Sequence, residues 1–259
     1  MAEPVATEPV FDPNAWEAAK AIRTRNLALR RAIRALEHHS GRVLEVGAGT
    51  GRFLRTLREY RPDLDAYACD FVKDGLSTAH ELDPSIHLAQ ADFTALPYRD
   101  ETFDIVLVFD VLEHLNDPEQ GLRELHRVLA PGGLIHALVP CEGQPATLHW
   151  AMWKLNMNSD LKKRHVGHVQ RFTHGSLDRM LTEHGFHVES ISYSMHPIGQ
   201  VRDVMMYLED EPGFPGWVKK NPLFGLVRAG LWGGAYVEST LLGRVPLSAV
   251  ALHVTATKQ

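Results

Sequence analysis

The stretch Val43-Leu44-Glu45-Val46-Gly47-Ala48-Gly49-Thr50-Gly51-Arg52-Phe53-Leu54 decides how this chain folds. An apolar, β-branched run carrying one acid meets three glycines at alternate positions, and a helical pattern follows at once. Glycine has no Cβ, so it can turn the chain sharply and let a ligand lie against bare backbone. A strand feeding a helix through such a turn also aims free helix N–H groups at whatever sits there. The stretch therefore reads as a nucleotide or nucleoside pocket. The dinucleotide fingerprint is G-x-G-x-x-G. Here Gly47, Gly49 and Gly51 give G-x-G-x-G, which argues against a nicotinamide oxidoreductase.

Upstream, Ala15–His39 has helical spacing through Ile22, Leu29, Ile33 and Leu36, and Ser40-Gly41 ends it. Downstream, the pattern predicts strands at Arg42–Val46, Leu64–Cys69, Ile86–Ala89, Phe103–Phe109, Leu134–Val139, Phe186–Tyr193 and Pro246–Thr255. Helices are predicted at Gly51–Tyr60, Lys73–Leu82, Pro118–Leu129 and Ser176–His184. Phe103–Phe109 is an unbroken apolar run after Asp104, as suits a buried central strand. Strands alternating with helices imply βαβ units and a doubly wound α/β sheet. Ligands of such sheets sit beyond the carboxyl ends of the strands. Gly47–Gly51, Asp70, Asp92 and Asp110 all lie just after predicted strands.

The 259 residues are enough for one full core with insertions. Apolar content of 44% and charged content of 23% are those of a globular protein. A net charge of −5 argues against a dedicated nucleic-acid binder. Cys69 and Cys141 are too few for a disulfide framework or a zinc spacing, so a reducing, cytoplasmic setting is expected. Met1–Val10 is acidic and lacks the apolar core of a signal peptide. No run approaches the roughly 18 apolar residues of a membrane span.

The glycine loop, with Glu45 two residues ahead of it, resembles motif I of class I S-adenosylmethionine (SAM) methyltransferases. The resemblance continues through Ala91-Asp92-Phe93 … Phe103-Asp104-Ile105-Val106 … Asp110-Val111-Leu112-Glu113-His114-Leu115 … Leu125-His126-Arg127-Val128-Leu129-Ala130-Pro131-Gly132-Gly133. It points to the branch with the ubiquinone and menaquinone C-methyltransferases and many natural-product enzymes, and covers about Arg42–Val139. It implies a Rossmann-like seven-stranded sheet of order 3-2-1-4-5-7-6 with the seventh strand antiparallel. Residues 1–40 would be a lead and helix covering the site, and 41–259 the methyltransferase domain. Helical insertions would follow strands five and six, at 141–174 and 195–245 on the substrate side.

By that resemblance Gly47, Ala48, Gly49 and Gly51 cradle the methionine part of SAM, and Glu45 holds the loop or meets the amino group. Asp70 takes the ribose, with Phe71 beside it. Asp92 and Phe93 take the adenine, and Phe109 and Asp110 line the floor near the sulfonium. S-adenosylhomocysteine would be the product. From the residues alone, Asp70 lies about twenty positions after the loop, where a carboxylate can accept both ribose hydroxyls.

An oxygen or activated-carbon acceptor needs help with its proton. His168 and His165, in Arg164–Thr173, and His114, in Asp110–His114, are the catalytic candidates. Asp110-x-x-Glu113-His114 is similar to a Glu-x-x-Glu-His set that binds a divalent metal in some O-methyltransferases. The shorter Asp at the first position, and the frequency of Leu-Glu-His without metal, lead to an expectation of no metal here. Trp150, Met152, Trp153, Met157, Met205, Met206 and Trp217 fit either an apolar acceptor pocket or the packing of the insertions. The expected function is SAM-dependent methyl transfer, to oxygen or carbon, on an apolar or aromatic secondary metabolite, a quinone-like ring or a lipid. RNA or protein methylation and a non-catalytic SAM-binding scaffold are the rivals. Residues 195–245 are read as a homodimer face or a peripheral membrane contact, though Leu223–Val237, with only Arg228 and many glycines, makes a poor anchor.

Overall fold

Each predicted strand forms, and the central ones are covered on both faces. The computed structural model describes residues 27–157 and 161–259. The expected lead, with residues 15–26 of the first predicted helix, lies outside the described residues. Seven strands form one sheet in the order β3-β2-β1-β4-β5-β7-β6. These are β1 (Arg42–Val46), β2 (Asp65–Asp70), β3 (His87–Gln90), β4 (Phe103–Phe109), β5 (Leu129–Pro140), β6 (Phe186–Ser194) and β7 (Ala251–Lys258). The first five run parallel, and β7 is antiparallel to both β5 and β6.

On one face, α1 (Leu27–Ala35) and α2 (Arg52–Tyr60) bury Leu29, Ala32, Leu54 and Leu57 against Val43, Ile105 and Leu107. On the other, α4 (Pro118–Val128) and α7 (His174–Glu183) bury Leu122, Leu125, Leu177 and Leu181 against Leu44, Val106, Ile135 and Val254. Helix α3 (Lys73–Leu82) crosses from β2 to β3. β4 is buried at every position but Asp104, whose carboxylate accepts the Arg42 N–H at 2.8 Å.

Three starts move by two residues or more from their expected places. β5 starts at Leu129, because Leu129 already pairs with Phe103; Pro131-Gly132-Gly133 is absorbed as an irregularity inside the strand. β7 starts at Ala251, because Pro246 has no N–H to pair and Ser248 adopts a positive φ of 62°. α7 starts two residues early, because Thr173 and Ser176 close a capping box.

The stretches after β5 and after β6 meet. The first carries α5 (Leu148–Lys154) and α6 (Leu161–Val166). The second carries α8 (Pro197–Asp210), the short α9 (Gly216–Lys219) and α10 (Pro222–Leu241). α8 and α10 form an antiparallel pair: Glu238 accepts the Ile198 and Gly199 N–H groups at 3.1 Å each, and Arg228 lies 3.5 Å from Glu209. α5 and α6 then pack on α8 through Leu148, His149 and Lys162.

Candidate active site

The β1–α2 loop is fastened from below and bare above. Gly47 and Ala48 donate their N–H groups to the Cys69 carbonyl at 2.9 and 3.0 Å. Gly47 sits at φ 73°, and a Cβ there would fall 2.4 Å from Val111 Cγ2. A Cβ on Gly75 of α3 would fall 2.9 Å from the Gly49 carbonyl carbon, so that helix needs glycine to approach the loop. The Cβ direction of Gly49 itself is open space. Gly51, also at positive φ, caps α2 without a side chain.

Glu45 supplies what that cap lacks. Its carboxylate, almost wholly buried, accepts the Leu54 N–H of the first turn of α2 at 3.0 Å. Burial pushes the carboxyl up to about 8, against the opposing pull of the Leu54 hydrogen bond and Arg52. Glu45 thus holds the loop from inside. Asp70, at the end of β2, accepts Gly49 N–H on Oδ2 at 2.7 Å and Val72 N–H on Oδ1 at 2.8 Å. Each oxygen keeps a second lone pair.

The two aromatic candidates for an adenine face differ in exposure. Phe71 is 71% exposed, whereas Phe93 is 6% exposed and packed in the core against α4 near Gly121. A Cβ on Gly121 would lie 3.5 Å from the Phe93 ring, in ordinary contact with it. Asp92 keeps its position, with Oδ1 accepting both the N–H and the hydroxyl of Thr94 at 2.8 and 2.7 Å. Those bonds hold its carboxyl below the usual range. Phe109 is likewise buried, its ring 4.4 Å from that of Phe53.

Asp110 ends β4 in the left-handed region, φ 54°, with its N–H on the Leu138 carbonyl at 3.0 Å. A non-glycine residue there stores strain, often at functional sites. Its side chain is open to solvent, yet protein crowds it enough that desolvation raises the carboxyl against the pull of Arg52, Lys162 and His168.

Beyond Asp110 the 3-10 turn Leu112–His114 meets the loop after α6. The Glu113 carbonyl accepts the Val169 and Gln170 N–H groups at 2.9 and 3.0 Å, which seats that loop on the turn. His168 Nδ1 lies 2.7 Å from Glu142 Oε1, and its Nε2 lies 3.7 Å from Glu113 Oε1. His114 Nδ1 is 3.3 Å from the Gly167 carbonyl, and its ring meets His168 edge-on at 4.9 Å. Burial, then His168, lowers His114 below the usual imidazole value. Glu113 is fully buried, and neither carboxylate oxygen has a hydrogen-bond partner among the described residues. Burial and then Asp110 raise it far above the usual carboxyl range. His165 does not join this group. Its Nε2 is 2.7 Å from Glu211 and its ring lies 5.5 Å from that of Tyr207.

Lys162 and Asp203 carry no local signal. Lys162 Nζ bridges Glu142 Oε1 at 2.9 Å and Asp203 Oδ2 at 3.0 Å, and His149 Nε2 reaches the same Asp203 oxygen at 3.0 Å. Burial alone would raise Glu142, but Lys162 and His168 outweigh it and hold the carboxyl at about 2. Glu142 follows the end of β5, as Asp70 follows the line of β2, so strand-end acidity was a usable signal for it alone. Lys162 and Asp203 are joined only by tertiary packing.

Residues 18–191 match a family model described as a methyltransferase domain. The chain is 39% identical over 106 residues to a demethylmenaquinone methyltransferase of Deinococcus radiodurans, covering 39% of this chain and 44% of that one. It is 37% identical over 115 residues to a malonyl-(acyl-carrier protein) O-methyltransferase of Halorhodospira halophila, covering 43% and 38%. The chain spans about half the length of the curated relatives it matches. An S-adenosylmethionine-dependent methyltransferase from Mesorhizobium loti shares the fold at TM-score 0.56 and 19% identity, over 90% of this chain and 99% of that one. The family model covers more than half of the residues and the strand order is the one the glycine loop implied: the chain belongs to the methyltransferase-domain family, in its class I, SAM-dependent branch.

Proposed function

We propose that this protein methylates an apolar or aromatic small molecule, with SAM bound along the carboxyl ends of β1, β2 and β4. The observation that carries the reading is the shared edge. The bare Gly47–Gly51 backbone, Asp70, Phe71, Asp92 and Asp110 open at the same strand ends, and the Glu142–His168 pair follows β5 on that edge. Bound SAM supplies a methyl group on a positively charged sulfur.

The chain's residues supply the rest. Glu45 and Asp70 fix the loop so that no reorganisation is needed on binding. Asp70 keeps acceptor capacity for ribose hydroxyls, Asp92 for the adenine amine, and Phe71 offers an open ring face. Asp110 places carboxylate charge on the floor. Glu142 stays ionised, so the proton of His168 sits on Nδ1 and Nε2 is left to take one from the acceptor. His114 closes the other side of His168, making it a positioning residue in this reading. An oxygen or activated carbon acceptor fits that arrangement.

A second reading rests on Glu113, His114 and His168, whose ligand atoms lie within 4.8 Å of one another. Both imidazoles are held at Nδ1, by Gly167 and Glu142, and turn Nε2 toward the unpartnered Glu113 oxygen. One carboxylate and two imidazoles suit a divalent cation.

Transfer of a labelled methyl from SAM to metabolite, RNA and protein pools tests the first reading. Label is expected in the organic-extractable metabolite fraction; label confined to RNA or protein overturns it. The same assay after EDTA dialysis separates the two readings, since the metal-free base mechanism keeps its turnover and the cation mechanism loses it.

A further inference from the structure

The exposed face of α10 is foreign to the rest of this surface. α10 is 20 residues long, so its axis runs about 30 Å. Its only charged side chains, Arg228 and Glu238, are engaged with α8. The face turned away from α8 shows Leu223 at 66%, Leu226 at 69%, Val237 at 54% and Leu241 at 76% exposure, with no charge among them. Trp217, 73% exposed, stands just ahead of the helix, and Trp232 is half exposed along it.

Between Gly213 and Val237 the charge has one sign. Residues 213–237 hold Lys219, Lys220 and Arg228 and no Asp or Glu, in a chain whose net charge is −5. Lys219 and Lys220 lie exposed before the N-terminus of α10, and Arg244 lies exposed after its C-terminus. A helix with an uncharged face, cations at both ends and tryptophans at its margin matches an element lying flat in a membrane interface. No helix among the described residues is long and apolar enough to cross a membrane.

We propose that α10 and its flanks dock this protein on the surface of an anionic phospholipid bilayer. Leu223, Leu226, Val237 and Leu241 enter the boundary of the acyl chains, while Lys219, Lys220 and Arg244 meet the headgroup phosphates. A second copy of the chain fits the same face less well. Parallel pairing of two α10 helices sets the lysines of one against those of the other, and antiparallel pairing sets them against Arg244; both oppose like charges. The docking deepens the small-molecule reading. It rests on that reading only in that α8, the partner of α10, also carries Asp203 of the network beside His168.

The test is co-sedimentation of the full chain with phosphatidylcholine vesicles, with and without phosphatidylglycerol, in the absence of SAM and acceptor. Binding to the anionic vesicles is expected, with a blue shift of tryptophan emission and at least a tenfold loss in Leu226→Asp and in the K219E/K220E pair. Both changes are at exposed positions, and circular dichroism confirms that the variants fold. No binding to anionic vesicles overturns the proposal, as does binding that neither variant weakens. A dimer in sedimentation equilibrium that L226D dissociates gives the face to a second copy and also overturns it. Because no methyl transfer is measured, failure here leaves the proposed reaction standing, and failure of the reaction leaves the docking standing.

Discussion

The two halves of the site are built by different means. Along β1, β2 and β3 the groups come from the strands or the residues just after them: Glu45, Gly47, Asp70 and Asp92 are each held by backbone hydrogen bonds. Around His168 the support is assembled across the chain, from Glu142 after β5, Lys162 on α6 and Asp203 on α8. One half depends on local backbone geometry, the other on charge balance in a buried network. The same change, removal of one side chain, should therefore have opposite signatures in the two.

The largest effect is expected at Lys162. Lys162→Met leaves Glu142 and Asp203 buried without their shared counter-ion, which costs about 3–5 kcal/mol in urea denaturation. A loss below about 1 kcal/mol would show that charge balance does not hold the cap. The wild-type network also has a pH signature. Glu142 is held at about 2 against an ordinary 4.5, so its contribution is full above pH 4.5 and drains away as pH falls toward 2.

Next is His168→Ala, which should lower kcat about 100-fold while the melting temperature of the SAM complex stays near that of wild type. A drop in SAM affinity instead of kcat would move His168 into the cofactor half. Gly47→Ala follows, at about 2 kcal/mol, since it combines positive φ with the collision against Val111. It should weaken SAM binding, because Val111 or the loop has to move.

The last effect is a change of slope. Glu45 is raised to about 8, so between pH 4.5 and 8 the folded protein holds a proton that the unfolded chain has released, and stability falls as pH rises. Glu45→Gln keeps an acceptor for Leu54 N–H without the charge. It should match wild type near pH 4.5 and gain on it as pH rises toward 8. A parallel pH profile for the two proteins would show that Glu45 is not buried in this way.

The same division governs what could be read from the chain before its structure. β1, α3 and β4 stand at their expected bounds, because their periodicity and their breakers are local. Asp70, Asp92 and Asp110 stand at or just beyond strand ends, as their positions in the sequence predict. Phe93 and Phe71 were not told apart, because which ring turns inward depends on tertiary packing in the core that Leu122 and Leu125 share. Nor were His165 and His168: their partners, Glu211 and Glu142, lie far along the chain and on different elements. Lys162 was passed over as one of several cations in Lys162-Lys163-Arg164, and only packing buries it alone among them.

Calorimetric titration of SAM into wild type, Asp70→Ala and His168→Ala tests the division most directly. The account predicts at least a tenfold loss of affinity for D70A, which takes an acceptor from the cofactor half and frees the Gly49 N–H, and a change of less than about twofold for H168A. Equal losses in the two variants, or unchanged binding in D70A, would contradict it.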